Sequence, residues 1–263
     1  MTAEATIRRV WPGPDTAALD DAALADLYGR PSRPGRTHLR VNFVSSIDGA
    51  VAVDGYSAGL SGPADKRVFG VLRMLCDALL VGAGTLRCEG YRAVRLDERR
   101  RAWRRDHGLA EYPTLVVVSR SLDLDPAQRA FADAPVRPLV LTTGQADPPP
   151  GLTAVAEVLR MGPADILPAS LAELHRRGHH QVLCEGGPGL FGGLTAAGLV
   201  DELCLTVSPL LAGPGSGRIT ADPPNPPGLP GPPAPPQAME LCHVLSADDV
   251  LLLRYLRAAE PAS

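Results

Sequence analysis

Glu185 stands at the end of an apolar run, Gln181-Val182-Leu183-Cys184, and is followed by Gly186-Gly187-Pro188-Gly189-Leu190-Phe191-Gly192. A carboxylate between a buried strand and a glycine turn is a poor place for an idle charge. Glu185 is therefore a candidate for accepting hydrogen bonds or moving a proton. The glycines let a backbone approach a ligand closely, and a helix starting at Pro188 would turn free N–H groups toward an anion. Gly187 to Gly192 also fits G-x-G-x-x-G, but a dinucleotide fingerprint needs an acid about 20 residues on that ends a strand. Here Asp201-Glu202 opens one instead. The stretch predicts an anion-holding turn, with Gly186, Gly187, Pro188, Gly189, Leu190 and Phe191 as cofactor contacts. Its plain alternative is a turn that packs a helix onto a sheet.

Three further strand ends carry small or polar residues: Val81-Gly82-Ala83-Gly84-Thr85, Ser119-Arg120-Ser121 and Thr142-Thr143-Gly144. Ligands of open α/β sheets bind at the carboxyl ends of strands. Together these ends suggest one nucleotide, held by Gly82, Thr85, Ser119, Arg120 and Thr142. Arg120 between two serines suits a 2′-phosphate, hence NADP over NAD. Ser46-Ile47-Asp48-Gly49 follows a strand that carries Asn42. It is either a hairpin turn or a second polar site, with Asp48 as a candidate catalytic carboxylate and Asn42 and Ser46 as substrate contacts. Glu89 is either a surface charge or a second acid. The six histidines show no metal spacing, so no metal is expected. Cys184 and Cys204 read as buried strand positions rather than nucleophiles.

Composition narrows the chemistry. Of 26 lysines and arginines among 263 residues, only Lys66 is a lysine. No G-K-[ST] exists, so a P-loop is excluded, and any anion site must use arginine, backbone N–H or helix N-termini. Five cysteines without a CxxC pair argue against a zinc ribbon or a disulfide framework and fit a reducing cytoplasm. The net charge of −3, with dispersed basic residues, makes nucleic acid an unexpected partner. No apolar run is long enough to span a bilayer, and the first residues hold no secretory signal.

These candidates need a frame. A strand is expected at 38–46, leading through Asp48-Gly49 into AVAV at 50–53. Helical spacing runs from Pro63 to Cys76, then strands at 77–84, 114–120, 137–144, 154–161, 181–187 and 201–211. Helices are expected at 15–29, 164–177 and 188–198, and a surface loop with some helix at 95–111. MELCHVLS and DVLLLRYL read as a final hairpin. The alternation predicts one α/β domain, residues 37–263, with a largely parallel sheet, a C-terminal antiparallel pair and an extension at 1–36. Residues 221–236 hold nine prolines in sixteen positions. They read as a loop insertion, or as a polyproline ligand of the SH3 type.

In order, VNFVSSIDG (41–49), SGPADKRVFGVLR (61–73), DALLVGAGT (77–85), VVVSRS (116–121) and CEGGPGLFGGLTAAGLVDELCLTVSPLLAG (184–213) resemble the riboflavin-biosynthesis pyrimidine reductases. That family comprises the C-terminal domain of a bifunctional deaminase-reductase and its stand-alone relatives. The resemblance covers residues 38–256 and implies a dihydrofolate-reductase-like, three-layer α/β/α fold. It also implies a homodimer and NADPH-dependent reduction of a ribosyl group to ribityl. The substrate implied is 5-amino-6-(5-phosphoribosylamino)uracil or its diamino-pyrimidinone analogue. By this resemblance Ser57, Arg73 and Glu185 match substrate-side positions, and Arg95 or Arg92 matches a phosphate-binding arginine. Val44, Thr85 and Glu89 match positions by the nicotinamide and ribose, Arg120 the 2′-phosphate position, and Gly187 to Gly193 the pyrophosphate loop. The chain departs from the family at Asn42, where the bifunctional enzymes carry lysine. It departs again at Gly59, where an aromatic residue lies by the cofactor, and at Glu89-Gly90-Tyr91, where the family reads Asp-[DN]-Pro. The deaminase signature is absent. Alternatives are reduction of another heterocycle such as dihydrofolate, or a non-catalytic NADPH-binding paralogue.

Overall fold

The computed structural model describes residues 5–15, 17–162, 166–215, 217–221 and 235–259. In chain order the elements are β1 (Arg8–Trp11), α1 (Asp21–Tyr28), β2 (His38–Ser46), α2 (Pro63–Leu75), β3 (Ala78–Gly82), α3 (Ala83–Cys88), α4 (Glu98–Asp106), β4 (Thr114–Val118), α5 (Arg129–Ala132), β5 (Leu139–Thr142), α6 (Leu152–Val155), β6 (Glu157–Arg160), α7 (Ile166–Arg176), β7 (Gln181–Cys184), α8 (Pro188–Ala196), β8 (Glu202–Ser208), β9 (Met239–Ala247) and β10 (Val250–Arg257). They form two compact units. One draws on Met1–Gly29, Leu39–Val71 and Pro188–Ser263, the other on Arg30–His38 and Leu72–Gly187. Among the described residues no helix is long and apolar enough to cross a membrane.

In the first unit the strand order is β1-β9-β10-β8-β2. Its first three pairings are antiparallel, and β8 runs parallel to β2. The expected hairpin is present, with Val250 opposite Ala247. Along β2 and β8 one face is polar and buried: Arg40 pairs with Glu202, Asn42 with Cys204, and Ser46 with Ser208. Glu202, wholly buried, binds two guanidinium groups; Arg40 Nε and Arg254 Nε each lie 2.7 Å from its Oε1. Residues 5–29, expected as an extension, are tied into this unit. β1 pairs with β9, and Arg67 donates to Ala5 O, Leu19 O and Asp21 at 2.8–3.0 Å. Helix α1 is shorter than the expected 15–29; the Asp20 side chain caps its start, and Gly29 at φ 57° ends it. Residues 50–53 form no strand, although the Asp48-Gly49 turn is made, Gly49 N donating to Ser46 O at 3.1 Å. The proline-rich 221–236 lies, but for 221, 235 and 236, outside the described residues.

In the second unit β7-β3-β4-β5-β6 are all parallel. β3, β4, β5 and β7 are apolar and largely buried, as strands covered on both faces must be. The helix expected within the surface stretch 95–111 is α4. It opens on the Asp97 cap and buries Arg104, which donates to Met74 O at 2.8 Å and to Cys76 O and Ala110 O at 2.5 Å. The fold is mixed α/β, mostly parallel with an antiparallel hairpin, as the sequence predicts.

Candidate active site

The parallel ladder of the second unit brings four strand ends to one edge. Gly82 N donates to Gly186 O at 2.9 Å, and Ser119 N to Leu141 O at 3.0 Å. Two glycines there are demanded by contact. A Cβ on Gly187 would sit 2.7 Å from Thr85 Oγ1, and one on Gly144 would sit 2.2 Å from Arg120 O. Both turns are thus packed closely against the chain's own atoms, and only glycine fits there. Arg120 is exposed at its strand end. Ser119 and Thr142 are buried, and their hydroxyls serve the turns: Ser119 Oγ accepts from Leu122 N at 3.2 Å, and Thr142 Oγ1 from Gly144 N at 2.9 Å. They shape the edge from within.

Glu185 follows β7, its own N–H donating to Leu80 O at 3.0 Å. Its side chain is 3% exposed and lies in a two-pronged pair with Arg73, Nε to Oε1 and Nη2 to Oε2 both at 2.6 Å. Burial works against the Arg73 charge, but Glu185 and Tyr91 together outweigh it and raise the guanidinium pKa. The Tyr91 hydroxyl donates to Glu185 Oε2 and accepts from Arg73 Nη2 at 3.0 Å. Two expected substrate-side residues, Arg73 and Glu185, are therefore brought together. A third, Tyr91, escaped the sequence reading, because nothing local marks a tyrosine 94 positions before its partner. Burial pushes the neighbouring Cys184 thiol up to about 12, so this cysteine is inert, as expected.

The other candidates are spread. Glu89 closes α3 through its N–H to Thr85 O at 3.0 Å. Arg92 and Arg95 are both exposed; Arg95 donates to Asp133 O at 2.7 Å, while Arg92 makes no hydrogen bond or ion pair among the described residues.

In the first unit, Asn42 is buried on β2 and Val44 lies beside Thr206. Ser57 opens a short 3-10 turn that ends at Gly59. Asp48 corrects the expectation of a catalytic acid. It accepts from Ser46 Oγ, from Ala212 N at 3.2 Å and from Gly213 N at 2.8 Å. The Ser46 hydroxyl and these backbone N–H groups hold its pKa down to about 2. Such a carboxylate is a loop clamp and a poor base near neutral pH. Ser46 is spent in the same clamp, its Oγ also accepting from Ala50 N at 2.8 Å. The Phe191 side chain is buried and stacks on Phe43 with centroids 5.1 Å apart, so it belongs to the core. Pro188, Gly189 and Leu190 form the first turn of α8 and are partly exposed. The sequence also gave no sign of Asp65, buried and accepting from Ser61 Oγ and, at 2.6 Å, from Thr206 Oγ1.

Parallel strands ending in glycine, serine and threonine turns, with a buried carboxylate–guanidinium pair at one of them, define an α/β protein whose polar site lies at its strand ends. The chain belongs to the RibD C-terminal domain family, whose model matches residues 37–247. It is 29% identical over 191 residues to the 2,5-diamino-6-ribosylamino-4(3H)-pyrimidinone 5′-phosphate reductase of Methanothermobacter thermautotrophicus, covering 71% of this chain and 84% of that protein. It is 30% identical over 182 residues to the protein of that name from Archaeoglobus fulgidus, covering 68% and 83%. The riboflavin biosynthesis protein RibD of Mycobacterium tuberculosis is 30% identical over 190 residues, which is 46% of that longer protein. A solved pyrimidine reductase-like protein from Corynebacterium diphtheriae matches with TM-score 0.77 at 24% identity, over 90% of this chain and 99% of that one. This last likeness is one of fold, and it bears out the dihydrofolate-reductase-like class expected from the sequence.

Proposed function

We propose that this chain reduces the ribosyl group of a 5-phosphoribosylamino-pyrimidine to ribityl, with NADPH as reductant. One observation carries the reading: the chain spans 84% and 83% of two archaeal proteins named as reductases of the diamino-pyrimidinone phosphate. The geometry of the second unit supports it. The glycine turn at Gly186-Gly187, packed closely on Thr85, and exposed Arg120 at a neighbouring strand end fit a dinucleotide with a 2′-phosphate. When bound, that cofactor supplies the hydride. The chain's own work is positioning. Arg120 offers a planar fork of donors to the 2′-phosphate. Glu185, held by Arg73, offers its Oε1 to a pyrimidine N–H or a ribose hydroxyl. Arg92, exposed and without a partner among the described residues, is the more available of the two candidate phosphate ligands. Asn42, Val44 and Ser57 complete the proposed set on the strength of the resemblance. The reading includes a cytoplasmic homodimer, which light scattering on the purified chain tests.

The decisive experiment is NADPH oxidation with the diamino-pyrimidinone ribosylamino phosphate and, in parallel, with dihydrofolate. Turnover with the pyrimidine alone is expected. Turnover with dihydrofolate alone overturns the substrate. Tight NADPH binding with turnover of neither overturns catalysis.

A further inference from the structure

Among the described residues Glu185 accepts three hydrogen bonds, and their distribution is uneven. Each carboxylate oxygen has about two acceptor positions. Oε2 takes Arg73 Nη2 at 2.6 Å and the Tyr91 hydroxyl, and is full. Among the described residues Oε1 takes only Arg73 Nε, at 2.6 Å. One acceptor position, on Oε1, is left for a ligand. The Tyr91 hydroxyl also receives Arg73 Nη2 at 3.0 Å, and the guanidinium carbon stands 5.6 Å from the Tyr91 ring centroid. The phenol thus braces both members of the pair at once.

We propose that Tyr91 is a positioning residue for reduction: by filling Oε2 and bracing Arg73, it fixes which oxygen of Glu185 meets the pyrimidine substrate, and from which direction. The proposal rests on the reading of Glu185 as a substrate contact. Burial, reinforced by the Glu185 charge, pushes the phenol well above its ordinary value of 10.0, so Tyr91 keeps the proton it donates. Without the hydroxyl, Oε2 regains an acceptor position and Arg73 Nη2 loses a partner. Substrate then has two oxygens to choose between, and only one choice aligns it for hydride transfer.

The test is steady-state kinetics on Tyr91→Phe, Glu185→Gln and the double variant, with melting temperature and NADPH affinity measured on each. Tyr91→Phe keeps the ring over Arg73 and removes only the hydroxyl. A fall of about tenfold in kcat/KM for the pyrimidine is expected, with NADPH affinity near that of the native chain. In the Glu185→Gln background the same change should cost nothing further, because Tyr91 acts through that carboxylate. Native kinetics in Tyr91→Phe, or full additivity in the double variant, overturns the proposal while leaving Glu185 in the site. Native kinetics in Glu185→Gln overturns the underlying reading and the proposal with it. Should Tyr91→Phe fail to fold, a ring-fluorinated tyrosine at position 91 keeps the shape and loses its proton more readily. It donates more strongly to Glu185 and accepts more weakly from Arg73, so kcat/KM for the pyrimidine should shift while NADPH affinity holds, and native kinetics overturns the proposal.

Discussion

His243 meets Tyr28 edge-on, with ring centroids 4.9 Å apart and planes at 83°, and among the described residues neither of its ring nitrogens has a hydrogen-bond partner. Burial, helped by the charge of Arg254, holds its pKa down to about 4. An unfolded histidine titrates at about 6.5. Between these values the unfolded chain takes up a proton that the folded chain refuses. Stability is therefore full above about pH 6.5 and is lost as the pH falls toward 4, by on the order of 3 kcal/mol. His243→Phe keeps a ring and removes the titration. Urea melts at neutral and mildly acidic pH should show a smaller loss for the variant; equal losses would place the acid sensitivity elsewhere.

Glu202 should be the most destructive single position in the first unit. It is wholly buried and serves both Arg40 and Arg254. Glu202→Ala strands two guanidinium groups in a buried site, at a cost of roughly 3–5 kcal/mol. Equilibrium denaturation measures this directly. A cost below about 1 kcal/mol, the range of surface pairs, would mean that water reaches the cluster.

Arg120→Ala should separate the two nicotinamide cofactors. A charge-assisted bond to a 2′-phosphate contributes roughly 1.5–3 kcal/mol. NADPH should bind about tenfold more weakly, or worse, while NADH is nearly untouched. Fluorescence titration with both decides, and equal losses would remove Arg120 from the 2′-phosphate.

Gly187→Ala places a methyl group 2.7 Å from Thr85 Oγ1. Overpacking of this kind costs about 1–3 kcal/mol. Thr85→Ala removes the obstructing oxygen, so the double variant should melt above Gly187→Ala alone. If both melt alike, the methyl group meets some other obstacle.

Local pattern made much of this legible. β2 matches the expected 38–46 to the residue, since its β-branched and apolar content leaves little choice. Glu185 was marked by its place between an apolar strand and glycines. What stayed hidden was long-range or masked by charge. Some helix was legible within 95–111, but not the bounds of α4, which is nearly all charged and has no apolar stripe, because the one residue it buries is Arg104. β1 exists only because β9 lies beside it, far along the chain. Arg73 and Tyr91 stand 112 and 94 positions from Glu185, beyond any spacing rule. Asp48 misled because an aspartate before a turn glycine looks the same whether it serves chemistry or its own loop.

The bonds made by residues 5–29 bear on how this chain can be cut. The family match runs from 37 to 247. A piece trimmed to those limits would lose β1 from β9, take from Arg67 the acceptors on Ala5, Leu19 and Asp21, and stop before β10, leaving β9 and β8 without the strand that joins them. The stretch that homology recognises is thus smaller than the first unit requires, and the surplus at both ends is architecture rather than ornament.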